Sequence, residues 1–296
     1  MDNIAIALTN DAAVRVYAAD TTELASQAQR LHNSYPIATA SLGRTLTAAA
    51  MMGAMLKNDD ASVTVQIKGD GPLGLILAVT DAESRVRGYC SNPDVELPLR
   101  ADGKLDVGRA VGKNGYLNVI NDNGMGEPYS GMVNLVSGEI AEDLTAYYAE
   151  SEQVPTAVGL GVLVGTAGVP QVSGGFLVQL MPGIGPDDDR TLALVEDNIS
   201  KMPSVTNMLA EGLSTDDMIA KILDGLEYNV LEHRSTVYNC NCSKERVERA
   251  LISIGAKELQ GLIDEGGNAE INCSFCDKRY SFGTDELSAL ILRCTK

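Results

Sequence analysis

The sequence has few of the residues that common active sites use. It contains no tryptophan and only two histidines, His32 and His233. Histidine is the usual catalytic base near neutral pH and a frequent metal ligand. Two histidines leave few residues from which a Ser–His–Asp triad or a histidine-bound metal site could be built. A phosphate-binding loop is also missing, since the glycine pair Gly124 and Gly126 has no lysine after it. We therefore predict that the chain is not an enzyme.

Basic residues are scarce. The chain has 23 lysines and arginines against 40 aspartates and glutamates, a formal net charge of −17. A field of that sign repels phosphate backbones, which argues against a general nucleic-acid-binding role. Residues 233–296 carry nine basic and nine acidic residues, so the whole excess lies in residues 1–232. This change in composition predicts a domain boundary near residue 233.

Export and membrane signals are also lacking. The N-terminus has neither a basic region nor an apolar core of signal-peptide length. The longest uncharged stretch, residues 153–186, would be long enough to span a bilayer as a helix. Between Val158 and Val164, however, apolar residues alternate with glycines, which is a strand period. We predict buried strands joined by a turn, no membrane segment and a cytoplasmic location.

The periodicity of residues 1–186 predicts an α+β core domain. Strands and helices alternate without a regular βαβ repeat. The predicted strands are residues 4–8, 14–18, 62–68, 73–80, 85–89, 117–120, 132–135 and two within 157–179. The predicted helices are residues 23–32, 37–57 and 139–150, the second of them rich in small residues that suit close packing.

Residues 187–232 are predicted to be a helical linker. Three aspartates, Asp187 to Asp189, suit a helix N-terminus, and Ser214 with Asp217 forms a capping-box pattern. Pro203 interrupts the segment, so each helix is short and needs packing against something else to persist. Two interpretations stay open: an ordinary helical subdomain, or a metastable linker that detaches and exposes its apolar faces.

Five of the six cysteines lie in residues 240–296. Cys240 and Cys242 form a C-x-C pair, and Cys273 and Cys276 form a C-x-x-C pair. Four thiolates complete the tetrahedral coordination of Zn²⁺ and leave no open position for catalysis. Cys90 and Cys294 stand outside the pairs, and we expect a buried thiol and a bystander. The sequence therefore predicts one zinc ion in a small C-terminal module, residues 233–296.

This module is too small to be rigid alone. Its predicted elements are a helix that begins at Ser243 and ends at Gly255, strands at 270–272 and 279–282, and a helix capped by Asp285. Metal binding worth about 10–16 kcal/mol would decide whether it folds. The charge of the thiolate site would be offset by four basic residues, Lys244, Arg246, Lys278 and Arg279.

Thiolates are also the oxidisable form of cysteine. Each close pair is able to form a local disulfide, which would remove the metal ligands. A redox switch is therefore one interpretation and a static zinc ribbon is another. A thioredoxin-like role for the C-x-x-C is disfavoured, because Cys273 follows one predicted strand and leads into the next rather than opening a helix.

Several segments resemble the heat shock protein 33 family of redox-regulated bacterial holdase chaperones. They are CNCSKER at 240–246, LISIGAKEL at 251–259, INCSFCDKRYSF at 271–282, YYAESEQVPT at 147–156 and GGFLVQLMP at 174–182. The C-x-C before a C-x-x-C at this gap is the most specific of these features. The similarity covers essentially the whole chain, in the family's order of core, linker and zinc module.

The resemblance implies a function that composition alone does not. It implies zinc on Cys240, Cys242, Cys273 and Cys276, and on oxidation the disulfides Cys240–Cys242 and Cys273–Cys276. The module and then the linker unfold, and the exposed surfaces hold unfolding client proteins without ATP, typically as a homodimer. Cys294 departs from the pattern as a fifth cysteine near the module. A constitutive zinc-stabilised adaptor and a disulfide oxidoreductase are the alternatives.

Overall fold

A computed structural model describes residues 2–165, 168–181 and 188–294. The chain divides into two compact units, Met1–Asn239 and Cys240–Lys296. The charge pattern assigns residues 233–239 to the C-terminal module. These residues instead lie in the first unit, because they form strands that pair with strands of that unit. The predicted boundary at 186/187 falls on residues 182–187, outside the described residues.

The first unit contains two sheets. Its strands are, in chain order, β1 (Asn3–Thr9), β2 (Val14–Asp20), β3 (Ser62–Lys68), β4 (Leu75–Asp81), β5 (Arg85–Cys90), β6 (Tyr116–Asp122), β7 (Tyr129–Asn134), β8 (Thr156–Val164), β9 (Pro170–Leu180), β10 (Tyr228–Ser235) and β11 (Val237–Tyr238). Sheet A has the order β10-β1-β2-β9-β8, and sheet B has the order β11-β5-β4-β3-β6-β7. All pairs are antiparallel except β11 with β5.

The helices of this unit connect and cover the sheets. They are α1 (Thr22–His32), α2 (Pro36–Gly53), α3 (Val107–Val111), α4 (Ala141–Tyr147), α5 (Asp188–Lys201), α6 (Val205–Ala210) and α7 (Thr215–Ile222), with a π-helical turn at Tyr148–Glu152. The α+β fold class is confirmed, and the predicted strands and long helices of residues 1–186 overlap the observed ones. α3, β10 and β11 were not predicted.

Helix α2 packs against strands of both sheets. Almost all of its residues are buried, and it shares one hydrophobic core with strands of sheet A and sheet B. Its small side chains let both sheets come close. The helix ends at Gly53, before the predicted residue 57. A Cβ on Gly53 would lie 2.7 Å from the Asp81 carbonyl oxygen. The small-residue composition is therefore a packing requirement.

The linker helices pack on sheet A and form a second core. Met208, Met218, Ile219 and Ile222 are fully buried in a cluster with Val16 and other residues of the sheet. The predicted capping box of α7 is confirmed, since Ser214 Oγ accepts from the Asp217 N–H at 3.1 Å and Asp217 Oδ2 accepts from the Ser214 N–H at 2.8 Å. The prediction of helix through residue 232 is wrong at its end, because β10 begins at Tyr228 and pairs with β1.

The uncharged stretch at 153–186 contains β8 and β9, which pair with each other. Strands rather than a helix therefore occupy its described part, as the alternation of valine and glycine predicts. Among the described residues, no helix is both long enough and apolar enough to cross a bilayer.

The second unit is small. It consists of α8 (Lys244–Ile254), α9 (Ala256–Asp264), β12 (Asn268–Asn272), β13 (Arg279–Gly283) and α10 (Thr284–Cys294). Its core has only seven buried side chains: Leu251, Leu259, Ala269, Tyr280, Phe282, Leu287 and Leu290. Gly255 ends α8 as predicted, with φ at +95°, but α9 was not predicted. α10 begins at Thr284, so Asp285 lies in its first turn and is not its cap.

Candidate metal centre

The C-x-C pair is held at the start of α8. Cys240 and Cys242 precede Ser243, whose Oγ accepts from the Arg246 N–H at 3.3 Å and caps the helix as predicted. The Arg246 guanidinium also donates to Asn241 Oδ1 at 2.6 Å. The residue between the two cysteines is therefore tied to the helix, which limits the freedom of the pair.

The C-x-x-C pair lies in the turn between β12 and β13. The Cys273 N–H donates to the Lys278 carbonyl at 2.9 Å, and the Cys273 carbonyl accepts from the N–H groups of Cys276 and Asp277 at 3.3 and 2.8 Å. Asp277 has φ at +57°, a left-handed conformation that aspartate tolerates better than most residues. This tight turn brings Cys273 and Cys276 together.

The four predicted cysteines form one cluster. The sulfur atoms of Cys240, Cys242, Cys273 and Cys276 all lie within 4.8 Å of one another. The Cys242–Cys276 Sγ atoms are 3.4 Å apart and the Cys240–Cys273 Sγ atoms are 3.6 Å apart. Disulfide sulfurs would be about 2.05 Å apart; none of the four cysteines is in a disulfide, so all four are free thiols. A tetrahedron with bonds of about 2.3 Å has edges near 3.8 Å, so this donor set fits zinc.

Tyr280 supplies a partner to this cluster that the sequence analysis missed. Its hydroxyl donates to Cys242 Sγ at 3.1 Å. Burial alone would raise the pKa of the Cys242 thiol, but hydrogen bonds from Tyr280 and the neighbouring thiols outweigh it and lower that pKa to about 7. Burial raises the pKa values of Cys240 and Cys276. The sequence feature that could have identified Tyr280 is its position on the strand directly after the C-x-x-C turn.

Two of the predicted basic residues, Lys244 and Lys278, have their own local partners. Lys244 forms an ion pair with Glu286, and its Nζ lies 5.2 Å from the centre of the Phe282 ring. The Lys278 Nζ lies 5.3 Å from the centre of the Tyr280 ring. These two cations thus stabilise aromatic residues of the module core in addition to any effect on the thiolates.

The remaining cysteines and histidines lie outside the thiol cluster. Cys90 is buried at the end of β5, where burial raises its pKa to about 12, as the expected buried thiol would be. The Cys294 thiol donates to the carbonyls of Leu290 and Ile252 at 3.4 and 3.5 Å. His32 Nε2 lies 2.9 Å from the Gly88 carbonyl oxygen, and His233 Nε2 lies 2.8 Å from Asp216 Oδ1.

Comparison with known proteins gives one consistent family. The model of the family described as "Hsp33 protein" matches residues 2–283. The chain is 48% identical over 290 residues to the 33 kDa chaperonin of Acetivibrio thermocellus, covering 98% of this chain and 97% of that one. It is 45% identical to the 33 kDa chaperonin of Bacillus subtilis over 290 residues, covering 98% of each.

A solved structure agrees with the sequence relatives. The crystal structure of the 33 kDa chaperonin (heat shock protein 33 homolog) from Thermotoga maritima matches with a TM-score of 0.88 at 35% identity, covering 99% of this chain and 98% of that chain. The resemblance seen in the sequence is thus confirmed over both units. The chain belongs to the Hsp33 family of heat-shock chaperones.

Proposed function

We propose that this chain is an ATP-independent holdase of the bacterial cytoplasm whose client binding is activated by oxidation of Cys240, Cys242, Cys273 and Cys276. The observation that carries this proposal is the clustering of these four thiols, within 4.8 Å of one another, in a module with a very small core. A module of this kind depends on the state of its thiols for its fold. Membership of a chaperone family supplies the expectation that unfolding proteins are the clients.

The reduced thiols fit one zinc ion, which when bound would supply folding free energy to the module. The chain's own contribution is to place the four donors. The β12–β13 turn fixes Cys273 and Cys276, and the cap of α8 fixes Cys240 and Cys242. All four donors are therefore needed together, and the loss of any of them weakens the module.

Oxidation would remove these donors in pairs. We propose the disulfides Cys240–Cys242 and Cys273–Cys276, which are the neighbours along the chain. Closing one disulfide takes two electrons and two protons from two thiols, and hydrogen peroxide accepts them and becomes two molecules of water. In the metal-free module, the lowered pKa of Cys242 favours its thiolate, which makes this cysteine an expected site of attack.

The linker provides the apolar surface that we propose for clients. Met208, Met218 and Ile219 are fully buried between the linker helices and sheet A. The helices α6 and α7 are too short to persist without that packing. If the second unit unfolds, the linker loses the folded module that follows it, and both the helix faces and the sheet become available. We propose that the active form is a homodimer.

Light scattering of a heat-aggregating client protein tests this function. Zinc-loaded reduced protein, peroxide-treated protein and a peroxide-treated Cys273→Ser/Cys276→Ser variant are compared while zinc release is followed. The proposal expects suppression of aggregation together with zinc release in the oxidised parent and no suppression in the reduced parent. The variant lacks two of the four zinc ligands, so it should hold no zinc and should suppress aggregation with or without peroxide. Equal suppression by reduced and oxidised parent would instead support a constitutive zinc-stabilised adaptor. Catalytic turnover of disulfide substrates would support an oxidoreductase.

A further inference from the structure

The strand β7 forms one free end of sheet B. Among the described strands, β6 is its one neighbour. Its sequence, YSGMVN, contains no charged residue and no proline. Natural proteins usually protect such an edge with charge, proline or a covering element, because an open edge strand pairs readily with other chains. β7 has neither charge nor proline, and the helix α4 and the π-helical turn that pack against it leave four of its six residues exposed, which suggests that this edge has a partner.

The other sheet ends are protected. β10 carries Glu232, His233 and Arg234, and β11 has only two residues. β8 is uncharged, but helices α4 and α6 pack against it, and a Cβ on Gly161 would lie 2.8 Å from the Thr206 side chain. Helix α4 and the π-helical turn pack against β7 as well, but four of the six residues of β7 are exposed, whereas β8 has one exposed residue, Leu163. Among the sheet ends in the described part of the chain, β7 is therefore the uncharged one that is most exposed.

Exposed apolar side chains lie on both faces of β7 and within four residues of its ends. We call them the β7 patch: Met125, Tyr129, Met132 and Val136, which are 81%, 50%, 62% and 56% exposed. Methionine side chains adapt to partners of different shape, and Met-rich surfaces are common where one protein binds many sequences. The patch thus suits an apolar partner of variable sequence.

The backbone of β7 is held in place from its buried side. Val133 is buried in the core, and Gly131 lies so close to the π-helical turn that a Cβ there would meet Ser151 Oγ at 2.3 Å. The Tyr129 hydroxyl lies 3.5 Å from the same Ser151 Oγ. A rigid extended edge loses little conformational entropy when another strand pairs with it.

The charge around the patch defines its partner. Residues 122–152, which include β7, the hairpin before it and the turn packed beneath it, carry seven acidic residues and no lysine, arginine or histidine. Glu139 is paired with Arg44 and Arg100, and Asp143 is buried, which leaves five acidic residues in this segment. Glu127 and Glu150 are exposed among them. A second copy of this chain would bring the same acidic residues against them and be repelled. An apolar segment flanked by basic residues would be attracted.

We propose that β7 is the first docking site for clients and that it binds an extended apolar segment flanked by lysine or arginine as an added strand. This inference rests on the proposed holdase function. Natural sequences often flank aggregation-prone strands with charged residues, so such segments are common in unfolding proteins. Since β7 is exposed without any oxidation step, this site binds clients weakly in the reduced protein, and linker surfaces exposed on oxidation add avidity.

Peptide binding to the reduced full chain tests the inference. The probe is a fluorescent peptide with a Val/Leu/Phe core between lysines, measured by anisotropy. Met132→Lys places a cation on the edge, and Ser130→Lys is a second variant on the same strand. Leu99→Lys is the matched control, because Leu99 is 60% exposed and Met132 is 62% exposed, while Leu99 lies outside every strand. Circular dichroism confirms that each variant is folded.

The proposal expects Met132→Lys and Ser130→Lys to weaken binding about fivefold or more, while Leu99→Lys stays close to the parent. A peptide with glutamates in place of its lysines should bind more weakly, and added salt should reduce this difference. The peptide should slow amide hydrogen exchange in residues 129–134. Equal binding by Met132→Lys and the parent, equal binding of a proline-interrupted peptide, or self-association through β7 would each overturn the proposal.

The redox function is tested separately. If the oxidised parent fails to suppress aggregation while the reduced parent still binds the peptide through β7, the holdase proposal fails and the β7 site stands. If the oxidised parent suppresses aggregation and Met132→Lys does so equally well, with peptide binding unchanged, the β7 site fails and the holdase proposal stands.

Discussion

The Tyr280 hydroxyl donates a hydrogen bond to Cys242 Sγ at 3.1 Å. Tyr280 is buried in the core of the second unit and lies on β13, whereas Cys242 precedes α8. One hydroxyl therefore links the core of the module to its thiol cluster. The same contact helps to lower the pKa of Cys242 to about 7 and raises the pKa of Tyr280 itself.

Removing this hydroxyl should weaken metal retention at low pH. The pKa of the Cys242 thiol in the folded module is about 7, below its ordinary value of 9.0. The Cys242 thiolate therefore stabilises the fold fully when the pH is above the ordinary pKa of 9.0. This stabilisation is lost as the pH falls through about 7. Tyr280→Phe should raise this pKa, and the variant should release zinc at a higher pH than the parent. A pH titration with a zinc dye measures this. Tyr228→Phe, in the first unit, should match the parent.

Loss of one ligand should unfold the second unit and loosen the linker, while strands β2 to β6 of the first unit stay folded. Cys276→Ser leaves three thiols, and the seven buried side chains of the module are too few to replace the missing metal affinity. Zinc content should fall, and hydrogen exchange should become fast in residues 240–294 but not in β2 to β6. Cys294→Ser is the control and should keep its zinc, because Cys294 only donates to helix carbonyls. Equal zinc content in both variants would contradict the assignment.

A cavity beneath the linker should activate the reduced protein. Ile219 on α7 is fully buried against sheet A, and Ile219→Ala should cost about 2–5 kcal/mol of packing free energy. The reduced variant should then suppress client aggregation in light scattering without peroxide. Ile254→Ala removes a half-exposed side chain on α8 and should behave like the parent. If the linker of Ile219→Ala opens by hydrogen exchange without any suppression, the linker is not a client surface.

The capping box of α7 sets how easily the linker opens. Ser214→Ala removes the acceptor of the Asp217 N–H and should destabilise the helix by about 1 kcal/mol. The variant should need less peroxide than the parent for half-maximal suppression of aggregation. Ser200→Ala, which removes a hydroxyl bonded only to the Asp197 carbonyl of its own helix, serves as control. An unchanged peroxide dose for Ser214→Ala would show that opening of α7 does not limit activation.

The clustering of the four cysteines was predictable because two short-range pairs need only one turn and one helix cap to bring them together. The sulfur contacts between the pairs were not predictable: Cys242 lies 3.4 Å from Cys276 and Cys240 lies 3.6 Å from Cys273. Those contacts depend on where α8 packs relative to the β12–β13 turn, and this is set by the module core. The Tyr280 contact was missed for the same reason.

Strand β10 shows why the predicted boundary near residue 233 was misplaced. Most of its side chains are exposed, so it lacks the alternation that identifies a half-buried strand. The charge change near residue 233 falls inside this strand. Helix α9 was missed because Gly255 ends α8 and also precedes α9 directly, so a stop signal in the sequence concealed the start of a second helix.

The pairing of β1 with β10 also affects synthesis of the chain. Asn3 lies opposite Ser235 in sheet A, so β1 leaves the ribosome long before β10, the strand that covers its second edge, has been synthesised. Until then β1 has only β2 beside it on the nascent chain. Completion of sheet A is therefore expected to be a late, slow step in biogenesis, because contacts so distant in sequence carry a large loop-closure cost.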